Sequence, residues 1–138
     1  MVNGSIITNN GKNILLYRAY TENADLSAIQ YLAPTQFKVG VANGTPAVGD
    51  TDLDTPVEIT AGVYLKDFVT DYPSIDLTNN EITTRCYLNS LEANGNDINA
   101  VGIFNEDSSP LLFSEDVMTA ESKSNTDEFA YIIKDRLL

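Results

Sequence analysis

From Gln36 onward the apolar residues of this chain recur at every second position in short stretches, each closed by glycine, asparagine or proline. A period of two sends alternate side chains to opposite faces of an extended strand, so each stretch buries one face and wets the other. Phe37, Val39 and Val41 alternate with Lys38, Gly40 and Ala42. Val57 with Ile59, and Val63 with Leu65, give shorter alternating pairs on either side of Ala61-Gly62. Ile82 to Leu88 alternates again, and Ile98 to Phe104 is a strongly apolar strand in which Gly102 marks a bulge or a close approach. The last strand begins at Phe129 and runs to Lys134, with Phe129, Tyr131 and Ile133 on one face. Turns are expected at Asn43-Gly44-Thr45-Pro46, at Asp71-Tyr72-Pro73-Ser74 and at Asn94-Gly95-Asn96-Asp97. A longer connection, Asn105 to Pro110, leads into Leu111-Leu112-Phe113 as a hairpin.

Ahead of Gln36 the spacing is helical. Ile14, Leu15, Tyr17 and Ala19 leave Lys12, Asn13 and Arg18 as polar positions, which predicts an amphipathic helix over about 10–20. Asn9 or Asn10 is expected to cap it, and Gly11 to weaken its first turn. Asp25 to Leu32 is a second short helical candidate, ended by Pro34. A chain of 138 residues fits one domain, 1–138, with the helix leading into a β body over about 36–135. The expected fold is mainly β, an antiparallel β-sandwich of about seven or eight short strands with an N-terminal α-helix. Phe37, Val39, Ile82, Leu88, Phe104, Phe113, Phe129, Tyr131 and Ile133 are expected in its core.

Composition removes whole classes of chemistry. With no His, the Ser-His-Asp triad, the Cys-His pair and the HExxH zinc site are excluded. Cys86 is the only cysteine, so no intrachain disulfide and no cysteine-rich metal site forms; its alternation with Ile82 and Leu88 predicts a buried, inert thiol. A net charge of -12 repels phosphate backbones and anionic headgroups, which argues against nucleic-acid and membrane-surface partners. Met1 to Ser5 lacks a basic region ahead of the short apolar pair Ile6-Ile7, so no export signal is expected. The longest apolar cluster, Ile14 to Tyr17, is far shorter than a bilayer span.

Three groups of residues carry candidate chemistry. Asp50, Asp52 and Asp54 alternate like the opening of a calcium loop, but Thr55 stands where the sharp-turn glycine belongs and Ala61 where the bidentate glutamate belongs. A solvated acidic loop is expected, with no metal ligand and no cofactor. Glu106, Asp107, Glu115 and Asp116 contain the paired carboxylates that glycoside hydrolysis requires. They are expected as solvated turn acids without a catalytic role. Asn3-Gly4-Ser5 and Asn43-Gly44-Thr45 match the short N-glycosylation pattern. Seven Tyr offer amphipathic contact area, most of it expected in core and rim packing.

Three stretches taken in order carry a family resemblance: Gly11-Lys12-Asn13-Ile14-Leu15-Leu16-Tyr17-Arg18; Phe37 to Pro46 leading into Asp50-Thr51-Asp52-Leu53; and Val101-Gly102-Ile103-Phe104-Asn105 followed by Leu111-Leu112-Phe113-Ser114. Together the chain resembles small structural proteins of tailed bacteriophages, of the tail-fibre, baseplate or head-associated type. Asn43-Gly44-Thr45 replaces that group's fuller glycine-threonine turn, and Ala61 to Asn80 has no counterpart in it. The resemblance implies a non-enzymatic virion protein, assembled in the host cytoplasm with itself or with other virion proteins in tail, baseplate, fibre or capsid. A host-surface carbohydrate-binding module is the alternative, with Tyr17, Tyr20, Tyr31, Tyr64, Tyr72, Tyr87 and Tyr131 available to stack on a glycan. For self-association, Leu137 and Leu138 are the expected apolar contacts, because they follow Lys134-Asp135-Arg136 beyond the last alternation.

Overall fold

A computed structural model describes residues 5–20, 31–106 and 108–137. In chain order the elements are β1 (Ile6–Ile7), α1 (Asn9–Tyr20), β2 (Pro34–Val41), β3 (Pro56–Val57), β4 (Lys66–Asp67), β5 (Ser74–Asp76), β6 (Glu81–Leu88), β7 (Asn96–Asn105), β8 (Leu112–Lys123) and β9 (Phe129–Arg136). They form two antiparallel sheets. The six-stranded sheet has the order β1-β8-β7-β2-β3 with β4 also on β2, and the three-stranded sheet has the order β5-β6-β9. The fold is thus mainly β, an antiparallel sandwich behind one N-terminal helix.

Register decides which residues meet. Val39 lies opposite Val101 and Phe37 opposite Ile103, while β8 sets Asp116 against Val101 and Ser114 against Ile103. Cross-strand partners share a face, so Phe37, Val39, Val101 and Ile103 project together toward the second sheet. There they join Cys86, Leu88 and Ile133 in one buried cluster, to which α1 contributes Ile14. Of the expected core, Ile82, Phe129 and Tyr131 are only half-buried. Phe129 and Tyr131 lie on β9, a strand covered on one side alone, and Ile82 borders a small apolar cavity.

The other face of the larger sheet has its own cover. Leu53, from the acidic loop, is buried over the two glycines of that face: a Cβ on Gly40 would sit 3.1 Å, and one on Gly102 3.2 Å, from its methyl carbons. Gly102 therefore serves close approach, and the register shifts of β7 fall on either side of it, between Ile98 and Ala100 and between Ile103 and Phe104. Buried on both faces, β7 reads in sequence as a nearly unbroken apolar run.

Several local expectations change. Thr8, and neither Asn9 nor Asn10, caps α1: its hydroxyl accepts the Gly11 N–H at 3.1 Å and its carbonyl accepts the Lys12 N–H. Ala19, placed on the apolar stripe, is exposed. The pairs around Ala61-Gly62 are not full strands, because Gly62, at φ +74°, folds the segment back so that Ile59 N–H and Val63 carbonyl bond at 2.8 Å. Ser74 opens β5 instead of closing a turn, and the turn near residue 95 is confined to Asn94-Gly95, since Asn96 and Asp97 already pair with Lys123 and Ser122. β8 continues ten residues past the expected hairpin arm, and β9 extends to Arg136. Most of the second helical candidate, residues 25–30, lies outside the described residues.

Candidate functional site

The long β8 gathers the acids that the sequence placed in turns. Its alternation sends Glu115 to the face covered by the acidic loop and Asp116 to the face that looks at β9. Both are buried, at 0% and 9% exposure, so the expectation of solvated turn acids fails for them. The reason is geometric: a ten-residue β7 needs a partner of similar length, and that partner carries Glu115 and Asp116 into the sheet. Glu106 is exposed as expected, and Asp107 lies outside the described residues.

Among the described residues the Glu115 carboxyl oxygens have no close hydrogen-bond donor; the Asp50 carboxylate faces them, with the Ala47 N–H as a weaker influence. Burial, reinforced by Asp50, pushes the Glu115 carboxyl up to about 8. At neutral pH Glu115 therefore keeps its proton and donates it to Asp50, which is held below the ordinary aspartate range by that bond and by the Ala47 N–H at 2.8 Å. The pair pins the 47–50 turn to β8.

The three loop aspartates are otherwise directed to separate partners. Asp52 takes the Lys38 ammonium at 3.0 Å, and Asp54 accepts the Gly44 N–H at 2.8 Å. Among the described residues no group of three or more His, Cys, Asp or Glu side chains is placed to share a metal ion. Asn43, in the second glycosylation pattern, is buried and accepts the Asp54 N–H at 2.7 Å. That orientation makes it a structural turn residue.

On the inner face, Asp135 of β9 is almost fully buried and links the two sheets. It accepts the Ser114 hydroxyl at 2.8 Å and the Ser5 hydroxyl, and burial raises its carboxyl. Asp116 lies beside it with only the Val117 N–H to favour its charge. Burial first, and the Asp135 charge second, push Asp116 up to about 6, while its Oδ1 has no partner among the described residues.

Asp116 opens into a cleft of about 450 Å³ between β8 and β9. The cleft exists because the two strands end their sheets on the same side. Among the described residues, β1 covers β8 only at Ser114 and Glu115, and β9 pairs only with β6. Ile98, Met118, Ile132 and Ile133 give it apolar walls, Glu121 adds a second acid, and the buried Tyr131 hydroxyl also lacks a partner among the described residues.

The remaining sequence candidates scatter. Tyr17 and Tyr31 stack with ring centroids 4.9 Å apart near the end of α1, Tyr87 lies under the Lys66 ammonium, and Tyr131 is in the cleft. Tyr64 is exposed on its own loop, and the Tyr20 side chain lies outside the described residues. Cys86 is fully buried, and desolvation raises its thiol far above the usual range. Leu137 is 44% exposed, with its N–H bonded to the Asn80 carbonyl at 2.9 Å; Leu138 lies outside the described residues. No protein-family model, curated protein or solved structure matches this chain.

Proposed function

We propose that this chain is a non-enzymatic structural component of a tailed-bacteriophage virion, assembled with other virion proteins or with its own copies in the tail, baseplate, fibre or capsid. The observation that carries the reading is the pair of strand edges that no described residue pairs with, β8 beyond Glu115 and the outer side of β9 ahead of Lys134, which flank one cleft. Exposed strand edges invite pairing, and a protein that stays soluble has to blunt or cover them. In an assembly, a neighbouring chain covers them. The sequence resemblance to tailed-phage structural proteins supplies the setting. The buried carboxyls fit the same reading: Glu115 is locked against Asp50 and Asp135 against two serines, so each fixes the packing of a loop or sheet and is shielded from a substrate. Mass spectrometry of gradient-purified particles tests this. The chain is expected to band with the particles in a fixed ratio to the other structural proteins, and a chain found only in the unassembled fraction overturns it.

A further inference from the structure

The cleft between β8 and β9 has three properties that together specify what fits it. First, among the described residues both walls are sheet edges, so the backbone groups that point away from β7 along residues 116–121 and away from β6 along residues 130–133 can pair with an extended segment. Second, the floor is apolar, formed by Ile98, Met118 and Ile133. Third, its charged side chains are all acidic. Asp116 presents a buried Oδ1 with no partner among the described residues, Glu121 stands at the rim, and no lysine or arginine lines the cleft. Buried polar atoms are almost always satisfied, so an orphaned carboxylate oxygen facing a cleft marks the place of a missing donor.

We infer that this cleft receives an extended segment of a partner protein that adds a strand beside β8 and places a lysine or arginine on Asp116, between apolar side chains that fill the floor. The period of a strand fits the spacing: residues two apart share a face, so a basic residue flanked at i−2 and i+2 by apolar ones matches Asp116 next to Met118 and Ile133. Charge complementarity favours a basic segment over another copy of this surface, since the whole chain carries -12 and like charges meeting across a closed interface are costly. The pairing also relieves Asp116 of the Asp135 charge beside it. The inference rests on the assembly reading above and names the chemistry of the partner.

The test uses the isotope-labelled full chain and a capped pentapeptide, valine-threonine-lysine-threonine-valine, followed by amide chemical shifts. Saturable changes confined to residues 116–121 and 130–133 are expected. Replacing the central lysine by glutamate is expected to weaken binding about tenfold or more, and Asp116→Asn, nearly the same shape, is expected to abolish that preference. No change in the cleft at millimolar peptide, equal binding of the lysine and glutamate peptides, or an unaltered preference in Asp116→Asn overturns the inference. Contacts in the free chain between residues 1–4 and β8 that the peptide does not displace also overturn it, because the chain then fills the cleft itself. Particle mass spectrometry is unaffected by any of these outcomes, so failure of the cleft and failure of the virion reading are separable.

Discussion

Gly11→Ala sets helix propensity against packing. In the interior of a helix this change is favourable by up to about 1 kcal/mol, and the sequence alone marks Gly11 as the weak point of α1. In the fold, a Cβ at this position lies 2.1 Å from the Phe113 carbonyl oxygen and 2.9 Å from both the Phe113 carbonyl carbon and Ile7 Cγ2. The obstacle is backbone of β8, which cannot rotate away, so the first turn of α1 has to retreat by about 1 Å to restore normal contact. That turn is held by Thr8 N–H on the Phe113 carbonyl at 3.0 Å, Asn9 N–H on the Val48 carbonyl at 2.7 Å and the Thr8 hydroxyl on the Leu112 carbonyl. An added ångström takes these bonds beyond useful range. Losing two or three of them at about 1 kcal/mol each, with the strain of overpacking, outweighs the propensity gain and leaves a net loss of about 2–4 kcal/mol. Urea unfolding followed by circular dichroism measures it, with Gly49→Ala as the control because nothing lies within 4 Å of its Cβ position. The control is expected to change stability by no more than about 0.5 kcal/mol. A Gly11→Ala protein as stable as the wild type refutes the docking of α1 on β8.

Glu115 and Asp116 have carboxyls raised to about 8 and about 6, so the native state holds protons that the unfolded chain releases near pH 4. Their stability contribution is fully present below about pH 4 and is lost as pH rises through 6 and then 8, opposite in sign to the usual salt-bridged acid. Glu115 faces Asp50 and Asp54 from the acidic loop, and Asp116 faces Asp135 of β9, so no cation offsets the trend. Glu115→Gln, whose amide can donate to Asp50 in place of the acid proton, is expected to gain about 1–2 kcal/mol at pH 8 and to flatten thermal midpoints measured from pH 4 to 9; an unchanged slope contradicts the pairing. Phe104→Ala removes a ring buried against Leu112 and Gly102 under the Lys38 ammonium, and a loss of about 3–5 kcal/mol is expected on urea titration; near-native stability refutes the second cluster under Leu53. If copies associate through the end of β9, sedimentation is expected to show association that strengthens with salt, as screening weakens the mutual repulsion, and that disappears in a chain ending at Arg136. Monomers of both chains at high concentration exclude contact through Leu137 and Leu138.

The strands legible in the sequence are those whose buried face is mainly apolar. Phe37 to Val41, Ile82 to Leu88 and Phe129 to Ile133 alternate because one face meets the other sheet, Ile98 to Phe104 is apolar on both of its buried faces, and each is found as a strand. Only the start of β8, Leu112-Phe113, is legible, because the buried positions that follow it are Ser114, Glu115 and Asp116, and hydrophobic alternation cannot reveal a strand that buries acids. The signal was nevertheless present in the hairpin itself. Counting outward from the Asn105–Pro110 connection carries residues 114–116 alongside the apolar run of β7, where solvated acids have no place, and a register shift between Ile103 and Phe104 then sets Asp116 opposite Val101. The Asp50–Glu115 pair is illegible for another reason: the acidic loop folds onto the sheet through Leu53, which packs on Gly40 of β2 and Gly102 of β7, contacts distant in sequence. The Thr8 cap and the role of Gly11 likewise depend on Phe113, about a hundred residues away in the chain.

Reconstruction of the intact particle by electron microscopy tests the assembly claim most directly. The account predicts density for this chain at defined positions in the virion, with a neighbouring polypeptide running along the β8 and β9 edges and a basic side chain against Asp116. A particle in which the chain is traced with both edges facing solvent, or in which it has no density at all, contradicts it.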